Sequence, residues 1–135
     1  MRKVFVFAAA GAVLLMAGAG VAHAAGVEGV WRTERGWQVK IYKCGGGLCG
    51  KVVGGTTMKD VHNPNPVLRK RSVVGIDIIR SMRKQGKRFK GKLYNPKDGN
   101  TYTGYIEPLS ANKLKLSGCV LGGLICKGQT WTRIR

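Results

Sequence analysis

The chain has 135 residues, 24 Lys or Arg against six Asp or Glu, and a formal charge of +18 at neutral pH. That length suits one small domain with a limited core, and the surplus of cations repels itself in the folded state while attracting anions. Two histidines and six scattered acids are thin material for acid–base catalysis, which needs groups poised near neutral pH.

In chain order, Arg2 and Lys3 precede an uncharged run that closes on Ala22-His23-Ala24, the small-x-small pattern of a secretory leader. Cleavage is expected after Ala24, which assigns residues 1–24 to a signal peptide and 25–135 to the exported domain. Gly11, Gly18 and Gly20 dilute the run and no basic stop-transfer cluster follows it, which argues against a spanning helix. No transmembrane segment is expected to remain in the mature chain. Loss of Arg2 and Lys3 with the leader lowers the charge from +18 to +16, because no acid leaves with them.

The rest of the chain shows short alternating runs bounded by Gly, Asn and Pro rather than helical periodicity. Strands are expected at residues 28–33, at 37–42 where Trp37, Val39 and Ile41 alternate with Gln38, Lys40 and Tyr42, and at 48–53. Residues 74–82 form a further strand, followed by 88–94, 101–107, 113–120 and 125–134. Asn95-Pro96-Lys97-Asp98-Gly99-Asn100 carries the Pro and Asp-Gly of a hairpin loop, and Ser110-Ala111-Asn112 joins the next pair.

So many strands in so small a domain would expose two long edges unless the sheet closed on itself. The expected fold is therefore all-β: one up-and-down antiparallel barrel of about eight strands, preferred over a β-sandwich. Trp37, Val39, Ile41, Phe89, Leu93, Tyr102, Ile106, Leu114, Leu116 and Val120 are placed inside, with Gly91, Gly104 and Gly118 where strands bend or pack closely. Residues 59–71 break the rhythm, because Pro64 and Pro66 remove backbone donors. They read as a long Pro-rich loop with one short helical turn. His62, Asn63, Pro64, Pro66 and Arg71 mark this loop as a candidate lid, with a simple cover over one barrel end as the plainer role.

Four cysteines, Cys44, Cys49, Cys119 and Cys126, lie beyond the leader, an even number in an oxidising compartment. Two disulfides are expected. Three pairings are possible; the local one, Cys44 with Cys49 and Cys119 with Cys126, closes two hairpins across Gly-rich turns. The C-x4-C and C-x6-C spacings do not match a zinc site.

Several pieces together resemble one bacterial exported family, domain of unknown function 2147. They are Gly29-Val30-Trp31, the Cys44 to Cys49-Gly50 hairpin, Asn63-Pro64 leading to Arg71, the Asn95-Pro96-Lys97-Asp98-Gly99 turn reaching Tyr102, and the terminal Thr130-Trp131-Thr132-Arg133. The resemblance implies a small lipocalin-like barrel and no established activity. Gly29-Val30-Trp31 is also similar to the Gly-x-Trp that opens lipocalins and fatty-acid-binding proteins, where a basic residue of the last strand lies over the Trp. That likeness implies a latch between Trp31 and Arg133, with Arg135 as the substitute.

The chemistry of catalysis is absent from the sequence: no G-x-S-x-G, H-E-x-x-H, Walker or Rossmann pattern occurs, and oxidised cysteines leave no thiolate. No catalytic residue, cofactor or metal ligand is nominated. Glu34, Asp60, Asp77, Asp98 and Glu107 are too dispersed for calcium, and Asp77 is expected to pair with a nearby Arg. The strongest functional signal is basic. Arg80, Arg83, Lys84, Lys87, Arg88, Lys90 and Lys92 form a candidate anion-binding ridge, with 88, 90 and 92 on one strand face; Arg69, Lys70 and Arg71 add a second cluster.

Two roles follow. One is a binding module holding a small apolar or amphipathic ligand inside the barrel. The alternative is a cationic envelope protein that binds anionic lipid or polysaccharide through its outer face. Nucleic acid is not an expected partner, given export and the lack of an exposed aromatic stacking pattern.

Overall fold

The structure, a computed structural model, describes residues 26–135. The leader expected at 1–24 lies outside the described residues. Eight antiparallel strands close into one barrel in sequence order: β1 (Gly29–Arg32), β2 (Gln38–Cys44), β3 (Gly47–Gly54), β4 (Asp77–Gln85), β5 (Arg88–Asn95), β6 (Asn100–Ser110), β7 (Lys113–Val120) and β8 (Ile125–Arg133). Short 3-10 turns at Pro66–Leu68 and Leu121–Gly123 complete the described structure. Among the described residues no helix is long and apolar enough to cross a membrane.

The expected strands are all present, and the largest shift is in β4. Its alternation is broken by register shifts on both sides and by Ser81 in the left-handed region at φ 52. Ile78 and Ile79 are consecutive yet both buried, so a two-residue period could not phase this strand. The bulge also explains a glycine: a Cβ on Gly91 would sit 2.6 Å from the Arg80 carbonyl oxygen and 2.9 Å from Met82 Cα. Pro108 lies inside β6 but beyond the last β5 partner, where only β7 is its neighbour and no ladder donor is needed on the other side.

Paired residues point to the same face, so the ladders define the interior. Trp31, Val39, Ile41, Val52, Ile79, Met82, Ile106, Leu114 and Trp131 are essentially inaccessible and form the packed interior. Val120 occupies an inward register position, paired with Ile125, but stands 41 % exposed at the rim rather than in the core. The strand ends stop before they can bury it.

Both disulfides are the local ones, Cys44 with Cys49 and Cys119 with Cys126, and no free cysteine is left. Each crosses a hairpin near its turn, so it restricts a short loop of the unfolded chain. Replacing Cys119 and Cys126 together by Ala is expected to lower stability by about 2 kcal/mol, read as a lower urea midpoint at unchanged slope. An unchanged midpoint would show that the turn is held by its ladder alone.

Candidate functional site

In an up-and-down barrel, the β1–β2, β3–β4, β5–β6 and β7–β8 connections share one end. At that end the interior is open, and a cavity of about 530 Å³ enters between the strand tips. Its floor and walls are Ile78, Leu93, Leu116 and Trp131, with Trp37, Val120 and Ile125 at the rim. Trp131, essentially inaccessible, separates this cavity from the packed interior.

Two polar groups of the cavity come from β8 positions in phase with Trp131. Lys127 pairs with Gly118, Gln129 with Leu116 and Trp131 with Leu114, which turns Lys127 and Gln129 toward the interior. The Trp131 indole N–H donates to Gln129 Oε1 at 2.7 Å, fixing both side chains. Arg35 from the β1–β2 turn and Lys97 from the β5–β6 turn complete a cationic mouth. The Lys97 ammonium lies 5.8 Å from the Trp37 ring centroid, a cation–π geometry. Burial and the neighbouring charges of Arg35 and Lys127 push the Lys97 pKa down from its ordinary value.

Acids also border the mouth, but each has another partner. Glu34 Oε1 accepts from the Thr130 N–H at 2.9 Å. Asp98 accepts from the Asn100 N–H at 2.8 Å and from the Tyr102 hydroxyl, an interaction that raises the Tyr102 pKa. Among the described residues the ion pairs are Lys43 with Glu28 and Arg71 with Asp60; Arg35, Lys97 and Lys127 take part in neither. A cluster of three cations held close together without a paired acid is an unfavourable arrangement that a bound anion would relieve.

The candidate lid residues lie elsewhere. No residue of the 59–71 loop lines the cavity. The loop is pinned to the barrel wall through Asp60, which is fully buried. Asp60 accepts from the Tyr94 hydroxyl at 2.5 Å, from Asn63 Nδ2 at 2.8 Å and from Arg71 Nε at 2.9 Å, with Arg71 NH2 also at 2.9 Å. Asn63 is buried, His62, Pro64 and Pro66 are exposed, and Arg71 is half-buried. Burial pulls the Asp60 pKa upward, but the hydrogen bonds from Tyr94, Asn63 and Arg71 outweigh it and leave the carboxyl below its ordinary value. Burial, followed by the hydrogen bond to Asp60 and its charge, pushes Tyr94 up to about 12. The loop is therefore a fixed buttress in this structure. Gly99 shows how close it comes: a Cβ there would lie 1.8 Å from the His62 carbonyl oxygen.

At the opposite end Arg133 closes the seam between β8 and β1. Its guanidinium carbon sits 4.3 Å from the Trp31 ring centroid. Nε donates to the Ala111 carbonyl at 2.7 Å, NH1 to Glu28 at 2.7 Å and NH2 to Gly26. Arg135 instead offers its carbonyl to the Val30 N–H at 2.6 Å.

The basic ridge divides in two. Arg80, Arg83 and Arg88 are engaged by the protein: Arg80 lies over Tyr94 at 5.1 Å, Arg83 donates to the Gly45 and Gly46 carbonyls, and Arg88 lies over Tyr105 at 3.9 Å. Lys84, Lys87, Lys90 and Lys92 are exposed. Lys84 and Lys87 edge a second depression of about 790 Å³ at the opposite end, beside Gly26 and Val27. Asp77 differs from expectation: its carboxylate accepts from the Tyr42 hydroxyl at 2.6 Å rather than pairing with an Arg, and Arg80 Nε reaches only its backbone carbonyl. The tyrosine reaches the carboxylate from β2, across β3.

A family profile described as an uncharacterized protein conserved in bacteria, DUF2147, matches residues 29–133. The chain belongs to this family. Among solved structures it is similar to protein HP1028 from the human pathogen Helicobacter pylori, described as belonging to the lipocalin family. The two are 28 % identical over 80 % of this chain and 82 % of that one, with a TM-score of 0.72. A search of curated proteins gave no match. This member of the family is thus a lipocalin-like small barrel, and its cavity occupies the open end of that fold.

Two features of the cavity escaped the sequence reading. Lys127 and Gln129 could have been found by stepping back two residues at a time from Trp131 along β8. Arg35 and Lys97 sit in turns from distant parts of the chain, and only barrel closure brings them together.

Proposed function

We propose that this protein is an exported, non-enzymatic carrier that holds a small amphipathic molecule in the open end of the barrel, apolar part inward and anionic head at the mouth. One observation carries the reading: a pocket of about 530 Å³ with Ile78, Leu93, Leu116 and Trp131 on its walls and Arg35, Lys97 and Lys127 at its mouth. Apolar walls with a few convergent polar groups are the common make-up of a small-ligand site. Export is supported by the leader-like residues 1–24 and by two disulfides.

The test starts from protein recovered from the periplasm of a bacterium expressing the full chain, with its mature N-terminus expected at Ala25. Native mass spectrometry and a thermal-shift panel then compare fatty acids with fatty alcohols of equal chain length. The acids are expected to raise the melting temperature more than the alcohols, and Lys97→Glu to weaken acid binding about tenfold. If neither class binds, the carrier reading fails.

A further inference from the structure

Beside the cavity, the β7–β8 connection presents an apolar tip to solvent. Val120, Leu121, Leu124 and Ile125 are 41, 68, 86 and 58 % exposed. Leu121 also holds φ 54, a left-handed conformation that disfavours a bulky side chain, and it is followed by Gly122 and Gly123 at positive φ. The turn therefore keeps leucines outward against both solvation and backbone preference, and strain of this kind is retained where function needs it. The Cys119–Cys126 disulfide spans the base of the tip, which limits its collapse onto the barrel.

The same end carries a second apolar point, Val67, 85 % exposed in the long loop. Arg35, Lys97 and Lys127 line the mouth that Val120 and Ile125 border, and the loop that bears Val67 adds the exposed Lys59, Arg69 and Lys70. The acids nearby are committed: Asp60 to Arg71 and Tyr94, Asp98 to Tyr102, and Glu34 to a backbone N–H. Apolar side chains projecting from a cationic rim match the boundary between acyl chains and anionic headgroups. A soluble surface has no use for such a patch.

We infer that the open end of the barrel is a docking face for an anionic lipid bilayer, with Leu121 and Leu124 inserted at the headgroup level and Arg35, Lys97 and Lys127 on the lipid charges. The ridge on β4 and β5 is set aside as the contact, because Lys84 and Lys87 lie at the other end, away from the exposed leucines of the tip. The face shares its three cations with the mouth of the proposed carrier, but its apolar anchors Leu121 and Leu124 lie outside the cavity lining, and a mouth-down pose places the cavity directly over the lipid.

The experiment is vesicle co-sedimentation of the mature chain with phosphatidylcholine alone and with phosphatidylcholine containing phosphatidylglycerol. Wild-type protein is expected to partition onto the anionic vesicles and to be released by salt. Leu121→Ser with Leu124→Ser should reduce partitioning about tenfold or more at unchanged melting temperature, since both side chains are exposed. Lys84→Glu with Lys87→Glu and Lys90→Glu should retain most of it. Equal partitioning of the wild type and the leucine variant, loss only in the ridge variant, or no wild-type binding at all each overturns the proposal. So does a wild-type dimer in analytical ultracentrifugation that the leucine variant dissolves, because the tip is then a contact between two copies of the chain.

Discussion

Asp60→Ala is expected to destabilise the barrel by about 3 kcal/mol and to lower its melting temperature by more than about 10 °C. The carboxylate is fully buried and receives hydrogen bonds from Tyr94, Asn63 and Arg71. Removing it leaves a buried hydroxyl and a cation without their acceptor, which costs more than the bonds themselves contributed. Against a total stability of about 5 to 15 kcal/mol, that is a large fraction. Asp60→Asn keeps the shape and loses the charge, so its difference from wild type reports the charge, the Arg71 attraction included, and its difference from Asp60→Ala reports the shape and the neutral hydrogen bonds. The pH dependence has a definite sign. The Asp60 pKa is lowered on folding, so its stabilisation is present above the ordinary carboxylate value of about 4 and is lost as pH falls through the folded one. Tyr94 is raised to about 12, so its contribution is present below its ordinary value of about 10 and is lost as pH rises through 12. Urea titrations across pH should show wild type losing stability on both flanks, with the acid loss reduced in Asp60→Ala. A variant that melts with wild type would mean that the 59–71 loop is held by its backbone bonds alone.

This hub illustrates what the sequence could and could not say. Asp60 stands in a stretch with Lys59, His62, Arg69, Lys70 and Arg71, and locally it looks like one more solvated charge. Its burial depends on Tyr94, 34 residues away, which the β5 ladder turns to the outer wall where the loop covers it. By contrast, the inward set from Trp37 to Leu116 was legible, because a two-residue period along β2, β5, β6 and β7 is a local property. The disulfides were legible for the same reason: each joins the two sides of one hairpin. The candidate site falls between these cases. Its apolar half follows from alternation, while its cationic mouth is assembled from turns that meet only once β1 and β8 close the cylinder.

That closure rests on a thin seam, which makes Arg133 the second point of large effect. β1 and β8 share two register pairs, Trp31 with Arg133 and Arg32 with Thr132, whereas β7 and β8 share eight. Arg133 adds bonds to three carbonyls, from the chain before β1 and from the β6–β7 turn, and stacks on Trp31. Arg133→Ala is expected to cost about 3 kcal/mol, the sum of charged hydrogen bonds and one cation–π contact after their solvation is returned. Arg133→Lys should recover less than half, because an ammonium cannot span three carbonyls as a planar fork does. Hydrogen exchange locates the damage. In Arg133→Ala the amides of Val30 and Ile134, which bond across the seam, should exchange faster while those of β5 to β7 stay protected. Uniform acceleration would mean that the barrel opens as one unit and that Arg133 acts on the whole fold rather than on its seam. Selective acceleration would leave the β5 to β7 side of the cavity intact, so the binding proposed for the far end should survive the loss of the latch.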